Sequence, residues 1–360
     1  AGQSVSSSLM RIDADFHGGS IEVIDATNAN DLRLALRPDT NANFTQWFCW
    51  RITGAKGKRC RFVIENAGDA TFPDAFEGYR ACRSEKLDDE TGWLRVPTAY
   101  QEGVLTITDT PSSDEVFYAY FAPYPDTRLE RLIERAAGSP EVSVEVLGDT
   151  VEGRDLTLLV FGDAEDADRA QVWITCRQHP GETMASWFAE GLVERLLETD
   201  DEDGPLRDLR ARATIHVVAN MCPDGSARGH LRSNAAGENL NRCWQDPSEE
   251  DSPEVYLVRE RMSANGVDLF LDVHGDERTP YCFACGCEGN PSYDTRMDGL
   301  EDLFMESLIA FDPNFQRTHG YENDAPGEGD LTAARNWVGV HFGALALTIE
   351  MPFKDNANDP

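Results

Sequence analysis

Val172-Trp173-Ile174-Thr175-Cys176-Arg177-Gln178-His179-Pro180-Gly181-Glu182 passes from one kind of pattern to another within eleven residues. The run 172–176 is short and mostly apolar, as in a strand buried on both faces. Pro180-Gly181 then punctuates the chain. From Glu182 to Leu197 the residues Met184, Trp187, Phe188, Leu192 and Leu196 predict the apolar side of a helix. A buried strand feeding a helix is the unit of an α/β sheet covered on both faces.

The same alternation continues outward. Asp126–Ala137 reads as a helix, and Val142–Leu147 and Leu156–Phe161 read as strands joined by Gly148–Arg154. Ala213–Ala219, Leu269–His274 and Leu345–Ile349 are further strands. Glu254–Ser263, Leu300–Ile309 and Leu331–Val340 are helical. Together they predict an α/β domain over residues 125–360.

Ahead of Pro123-Tyr124-Pro125 the character differs. Ile21–Ile24, Leu32–Leu36, Thr45–Ile52, Cys60–Ile64, Val104–Thr108 and Val116–Phe121 are short β-type runs between turn residues. They predict an antiparallel β-sandwich over residues 1–124, with Phe44, Trp47, Phe48 and Trp50 in or over its core. Two domains suit a chain of 360 residues, since single cores stop growing at roughly 250–300.

Composition excludes some partners. With 65 acidic residues against 32 basic ones the net charge is −33, which argues against nucleic acid and anionic membranes. Nine cysteines, without disulfide-like spacing, predict reduced thiols and a cytoplasmic protein. No apolar run approaches the ~18 residues of a membrane span.

His179 and Glu182 lie three apart where strand gives way to helix, a spacing able to aim an imidazole and a carboxylate at one point. His-x-x-Glu alone is weak. A second signal comes from Leu269-Phe270-Leu271-Asp272-Val273-His274-Gly275, an apolar strand closing on a histidine. Both signals sit at the carboxyl end of an expected core strand, where such sheets gather ligands. Three ligands from His and Asp/Glu, with a position left for water, is the pattern of catalytic zinc. Cys282-x-x-Cys285-x-Cys287 is a competing metal reading, but three thiols without a partner pair fall short of a zinc-finger pattern. Small buried hydrophobes suit them better.

Further polar residues follow the expected strands. Asn220-Met221-Cys222-Pro223-Asp224-Gly225 holds a Pro-Asp-Gly turn signal. Gly229-His230-Leu231-Arg232 and Gly237-Glu238-Asn239-Leu240-Asn241-Arg242 come next, and arginine binds carboxylates bidentately. Glu350 ends the apolar run 345–349, where partial desolvation favours a raised pKa and a base role.

In this order the motifs His-Pro-Gly-Glu, Pro-Asp-Gly, Gly-x-x-Arg, Gly-x-Asn-Leu-Asn-Arg, Asp-x-His-Gly and Leu-Thr-x-Glu resemble the zinc metallocarboxypeptidase family. Within it the chain looks like the cytosolic, deglutamylase-like branch, which carries a β-sandwich ahead of the catalytic domain. The resemblance implies a carboxypeptidase-like mixed sheet and one zinc ion held by His179, Glu182 and His274. It implies that Arg232 polarises the scissile carbonyl, that Asn241 and Arg242 grip the terminal carboxylate, and that Glu350 is general base and then acid. Peptide or protein C-termini are the implied substrates.

Three departures stand out. Cys222 replaces a frequent Asn, and Asn239 stands where some members have Asp. No tyrosine occurs in residues 327–337, near where many members place a mobile one; Tyr321 is the nearest. Leu331-Thr332-Ala333-Ala334-Arg335 resembles a Thr-Gly/Ala-Arg segment of the cytosolic branch, which implies that Arg335 lines the specificity pocket and favours acidic C-terminal residues. Hydrolysis of another carboxylate-adjacent amide, γ-glutamyl or N-acyl, is the alternative activity. A zinc-containing binding protein without turnover is the alternative outside catalysis.

Overall fold

A computed structural model describes residues 10–163, 166, 168–198 and 204–358. The chain divides into two compact units. One runs up to Pro125 and takes in Ser226–Leu231; the other comprises Asp126–Gly225 and Arg232 onward.

The first unit is built from β1 (Arg11–Asp13), β2 (Glu22–Asp25), β3 (Leu32–Ala35), β4 (Cys49–Thr53), β5 (Cys60–Ile64), β6 (Cys82–Ser84), β7 (Leu94–Arg95), β8 (Thr98–Gln101), β9 (Val104–Asp109) and β10 (Glu115–Ala119). They form two five-stranded sheets, ordered β1-β4-β10-β6-β7 and β2-β3-β5-β9-β8. Trp50 of β4 and Tyr118 of β10 stack at 5.6 Å, and Phe62 of β5 lies 4.7 Å from Tyr118. Aromatics from both sheets thus make one core. Trp47, Phe48 and Trp50 are buried as expected.

Two details differ from the sequence expectation. One pair, β3 with β5, is parallel. The intervening β4 belongs to the other sheet, so the chain crosses over and returns in the same direction. The run 45–48 is not strand, because its polar groups bond to a loop instead. Thr71 N–H donates to Thr45 O at 2.8 Å, and Phe72 N–H donates to Gln46 Oε1 at 3.0 Å.

The second unit begins with α1 (Asp126–Ala137), then β11 (Val142–Asp149), β12 (Asp155–Phe161) and β13 (Ala170–Cys176). It continues with α2 (Thr183–Leu197), α3 (Gly204–Arg212), β14 (Ala213–Val218), the first three residues of α4 (Pro223–Arg228) and α5 (Pro253–Asn265). It ends with β15 (Leu269–Asp276), β16 (Phe283–Cys285), α6 (Thr295–Phe311), α7 (Ala334–Phe342) and β17 (Leu345–Pro352). The seven strands are ordered β11-β12-β14-β13-β15-β17-β16. The central β14, β13, β15 and β17 run parallel, and the outer strands pair antiparallel. α5 and α7 cover one face through Val255, Val258, Met262 and Trp337. α1 and α2 cover the other through Leu132, Ala136, Ala185 and Val193.

On α2 the buried stripe runs through Ala185, Ala189, Val193 and Leu196. Trp187 lies aside from it and carries the Arg128 guanidinium 4.4 Å from its ring. Pro223-Asp224-Gly225 opens α4 rather than making a free turn, since proline at the first helical position costs no hydrogen bond. The helix expected from Leu331 starts at Ala334. Thr332 is held out of it by Asp330, and its carbonyl accepts from Trp244 N–H at 3.0 Å. Among the described residues no helix is long and apolar enough to cross a membrane.

Candidate metal centre and active site

β13, β15 and β17 lie side by side and end at the same edge of the sheet. Their register pairs Thr175 with Asp272, Asp272 with Thr348, and His274 with Glu350. Side chains alternate along a strand, so Asp272, His274 and Asp276 share one face of β15. Gly275 between them is pressed against α2: a Cβ there would lie 2.3 Å from Met184 Sδ.

Beyond β13 the loop His179-Pro180-Gly181-Glu182 closes on itself, with Glu182 N–H donating to His179 O at 3.1 Å. Glu182 precedes α2 with non-helical backbone and makes no capping bond. Its carboxylate turns inward instead. Oε1 lies 2.7 Å from His179 Nδ1, and Oε2 lies 2.7 Å from His274 Nδ1. The two Nδ1 atoms are 3.2 Å apart. One ligand atom from each of these buried residues falls within 4.8 Å of the others. Among the described residues no other such group of three is gathered, the Cys282, Cys285 and Cys287 thiols included.

The far nitrogens face oxygen acceptors. His274 Nε2 lies 2.7 Å from Asp272 Oδ2, and His179 Nε2 lies 3.0 Å from Asn239 Oδ1. A proton held on Nε2 leaves the Nδ1 lone pair pointing inward. Two imidazoles and a carboxylate, buried and braced from behind, make the donor set of a three-ligand zinc site. The residues therefore fit that ion.

Electrostatics bind this cluster tightly. Burial, then the Arg232 charge, pushes His179 down to about 4. Burial would raise Glu182, but the two imidazoles outweigh it and hold the carboxyl far below its usual range. Burial would likewise lower His274, but Asp272 and Glu182 hold it well above the imidazole range.

Behind the candidate ligands a second set of bonds joins the strands. Asp272 accepts from Thr175 Oγ1 at 2.8 Å and from Gln178 Nε2 at 2.6 Å. Gln178 Oε1 in turn accepts from Trp244 Nε1 at 2.8 Å. Sequence reasoning missed Asp272 and Gln178. Asp272 alone had a legible signal, since it stands two residues before His274 and so on the same face of the strand.

Glu350 is only 5% exposed, and β17 continues past it to Pro352. Burial first, and then Glu182 and Asp276 against the opposing His274, hold its carboxyl well above the usual range. Its Oε2 is buried without a hydrogen-bond partner. Oε1 lies 3.1 Å from Tyr321 Oη, which also lies 2.8 Å from Asp276 Oδ2. Tyr321, unassigned from sequence, thus sits against the carboxylate. Glu277 is a further buried acid, pushed up to about 8 by burial and then by Glu182, with Oε1 unpartnered.

Asn241 stands with Nδ2 3.5 Å from His274 Nε2, its Oδ1 accepting from Ala334 N–H at 2.8 Å. Arg242 is set against Asp330 at 3.7 Å. Burial, then the nearby Arg232 charge, lowers its pKa, and Arg335 adds to that repulsion. Positive charges that oppose one another in this way favour a neighbouring anion. Arg335, in the first turn of α7, is half-buried and reaches Cys285 Sγ with Nη1 at 2.7 Å.

A cleft of about 920 Å³ lies at the opposite end of the sheet, beside the start of β14. Its Arg169 is bound to the carbonyls of Arg210 and Ala213. None of the eight residues expected at the site lines it.

Residues 129–358 match the zinc carboxypeptidase family model, and residues 12–121 match the cytosolic carboxypeptidase N-terminal domain. The chain belongs to the zinc carboxypeptidase family. It is a metallocarboxypeptidase, a zinc-dependent hydrolase of C-terminal peptide bonds. The metallo-carboxypeptidase of Burkholderia cenocepacia is 44% identical, with a TM-score of 0.94 over 98% of this chain and 92% of that one. The metallo-carboxypeptidase of Pseudomonas aeruginosa is 45% identical, with a TM-score of 0.92 over 97% and 92%. Cytosolic carboxypeptidase 6 of Caenorhabditis elegans is 25% identical over 95% of this chain and 78% of its own length.

Proposed function

We propose that the chain removes C-terminal residues from peptides and proteins at a single zinc ion held by His179, Glu182 and His274, and that it prefers an acidic C-terminal side chain. The observation that carries this reading is the β15–β17 register. It sets Glu350, with an unpartnered buried oxygen, beside the ligand His274.

When bound, zinc supplies a Lewis acid that polarises a carbonyl and acidifies water. The rest is the work of the chain. Asn241 and Arg242 receive the terminal carboxylate, the group that separates a chain end from mid-chain peptide. Arg232 places positive charge where the carbonyl oxygen becomes an oxyanion, a contribution of roughly 3–4 kcal/mol per donor. Glu350 takes a proton on Oε2 during attack and returns it to the leaving amine. Tyr321 Oη, 3.1 Å from Oε1, holds the carboxylate and leaves Oε2 unpartnered for the proton.

Arg335 lends the specificity pocket a charge for Glu or Asp. The C. elegans relative is named a cytosolic carboxypeptidase, which supports the cytoplasm as the compartment.

A C-terminally diverse peptide library, incubated with zinc-loaded protein and read by mass spectrometry, tests the proposal. Glu350→Gln is expected to lower release by about 10²–10⁴-fold. Release that survives this change sinks the base assignment. Arg335→Ala is expected to abolish the preference for peptides ending in Glu over Lys or Phe. An unchanged preference removes Arg335 from the pocket.

A further inference from the structure

Arg177 is the residue at which the chain leaves β13 for the ligand loop. Its φ is +58°, in the left-handed region that glycine enters freely and residues with a Cβ do not. Asn41 and Glu102 are the other non-glycine residues at positive φ among those described, and both lie in exposed turns. Arg177 is 3% exposed. Such strain persists where the surroundings demand it, and it clusters at functional sites.

A glycine would satisfy the backbone here with no strain, so the side chain must supply something. Arg177 Nε donates to Pro180 O at 2.8 Å. Its backbone N–H donates to Val273 O at 3.3 Å. One residue thereby ties the carbonyl between His179 and Glu182 to the strand that carries His274. The opposite side of the loop is closed too. A Cβ on Gly225 would lie 2.7 Å from Pro180 Cγ and 2.5 Å from Ser233 O. Proline is thus held between a buried guanidinium and a helix that must carry glycine at its contact.

We infer that Arg177 is a positioning residue that sets the spacing of His179 and Glu182 for zinc. The inference rests on the proposal that these two residues are zinc ligands. Ligand atoms must be held close to their bound geometry for full affinity, and outer-shell partners change it by about 10–100-fold.

Arg177→Gly keeps the left-handed turn and deletes the tie. Arg177→Lys keeps the charge without the planar Nε–H. Zinc affinity, read by competition with a chromophoric chelator, is expected to fall about 10–100-fold in both variants. Arg177→Gly is expected to keep the metal-free melting temperature of the wild type or exceed it. In zinc-saturated enzyme kcat is expected to fall while KM stays near wild type, because the carboxylate grip is untouched. Wild-type zinc affinity in either folded variant overturns the inference. A lowered melting temperature with unchanged zinc affinity, or failure of both variants to fold, assigns Arg177 to the fold and overturns it as well. His179→Ala tests the ligand assignment separately. If the wild type binds no zinc that His179→Ala loses, that assignment fails on its own evidence and Arg177 falls with it.

Discussion

Glu254 carries a pH signature away from the metal centre. It is fully buried at the second position of α5, where Asn234 Nδ2 donates to its Oε2 at 3.1 Å. Burial pushes its pKa up to about 7. The same Asn234 accepts from the backbone N–H of Ala236 and Glu238, so it shapes the segment that leads to Asn239 and Asn241. A carboxyl whose folded pKa is raised keeps its proton longer in the native state than in the unfolded chain. Below about pH 4.5 both states are protonated and nothing is lost. Stability then declines as pH rises from about 4.5 to about 7, and the loss is complete above that window. Glu254→Gln retains an acceptor for Asn234 without the charge. It is expected to exceed wild-type stability by roughly 2–3 kcal/mol above pH 7 and to match it below about pH 4.5. Denaturation curves at the two ends of the window check this; a difference independent of pH rules out titration of Glu254 as the cause.

At the scale of the element, β15 explains what could be read in advance. Its apolar run and the histidine that follows mark both the strand and the candidate ligand, because those signals are local in the chain. Asp272 is recoverable from strand parity alone. Asn239, sixty residues from His179, has no spacing to betray it, and its bond exists only once α2 and the 234–242 segment are folded. Tyr321 is hidden for the same reason: it lies in a stretch without periodicity and meets Glu350 only in three dimensions. α4 escapes notice because six residues carry too little pattern to outweigh Pro-Asp-Gly. β15 also permits a direct test of its inner face. Asp272→Asn leaves the size and the oxygen but withdraws the carboxylate from His274. Zinc affinity is expected to drop about 10–100-fold, with the secondary structure by circular dichroism unchanged. Undiminished affinity removes Asp272 from the support of the metal.

At the scale of the molecule, charge sets a problem for the proposed preference for acidic chain ends. The net charge of −33 repels an acidic peptide at long range. The proposed attraction is local and comes from Arg232, Arg242 and Arg335, the first and last of which act on the charge of Arg242. The two effects differ in range. Raising ionic strength from ~0.01 M to ~0.15 M shortens the Debye length from ~30 Å to ~8 Å, which removes the long-range repulsion. Contacts made inside a partly buried site are screened far less. For an acid-rich peptide ending in Glu, kcat/KM is therefore expected to rise several-fold over that interval, carried by faster association. A peptide of neutral body with the same C-terminal residue is expected to change little, because its one terminal contact is local. The comparison needs only steady-state rates for the two peptides along a salt series. A fall in kcat/KM for the acid-rich peptide as salt rises means that the arginine cluster acts at long range and dominates the field of the whole chain.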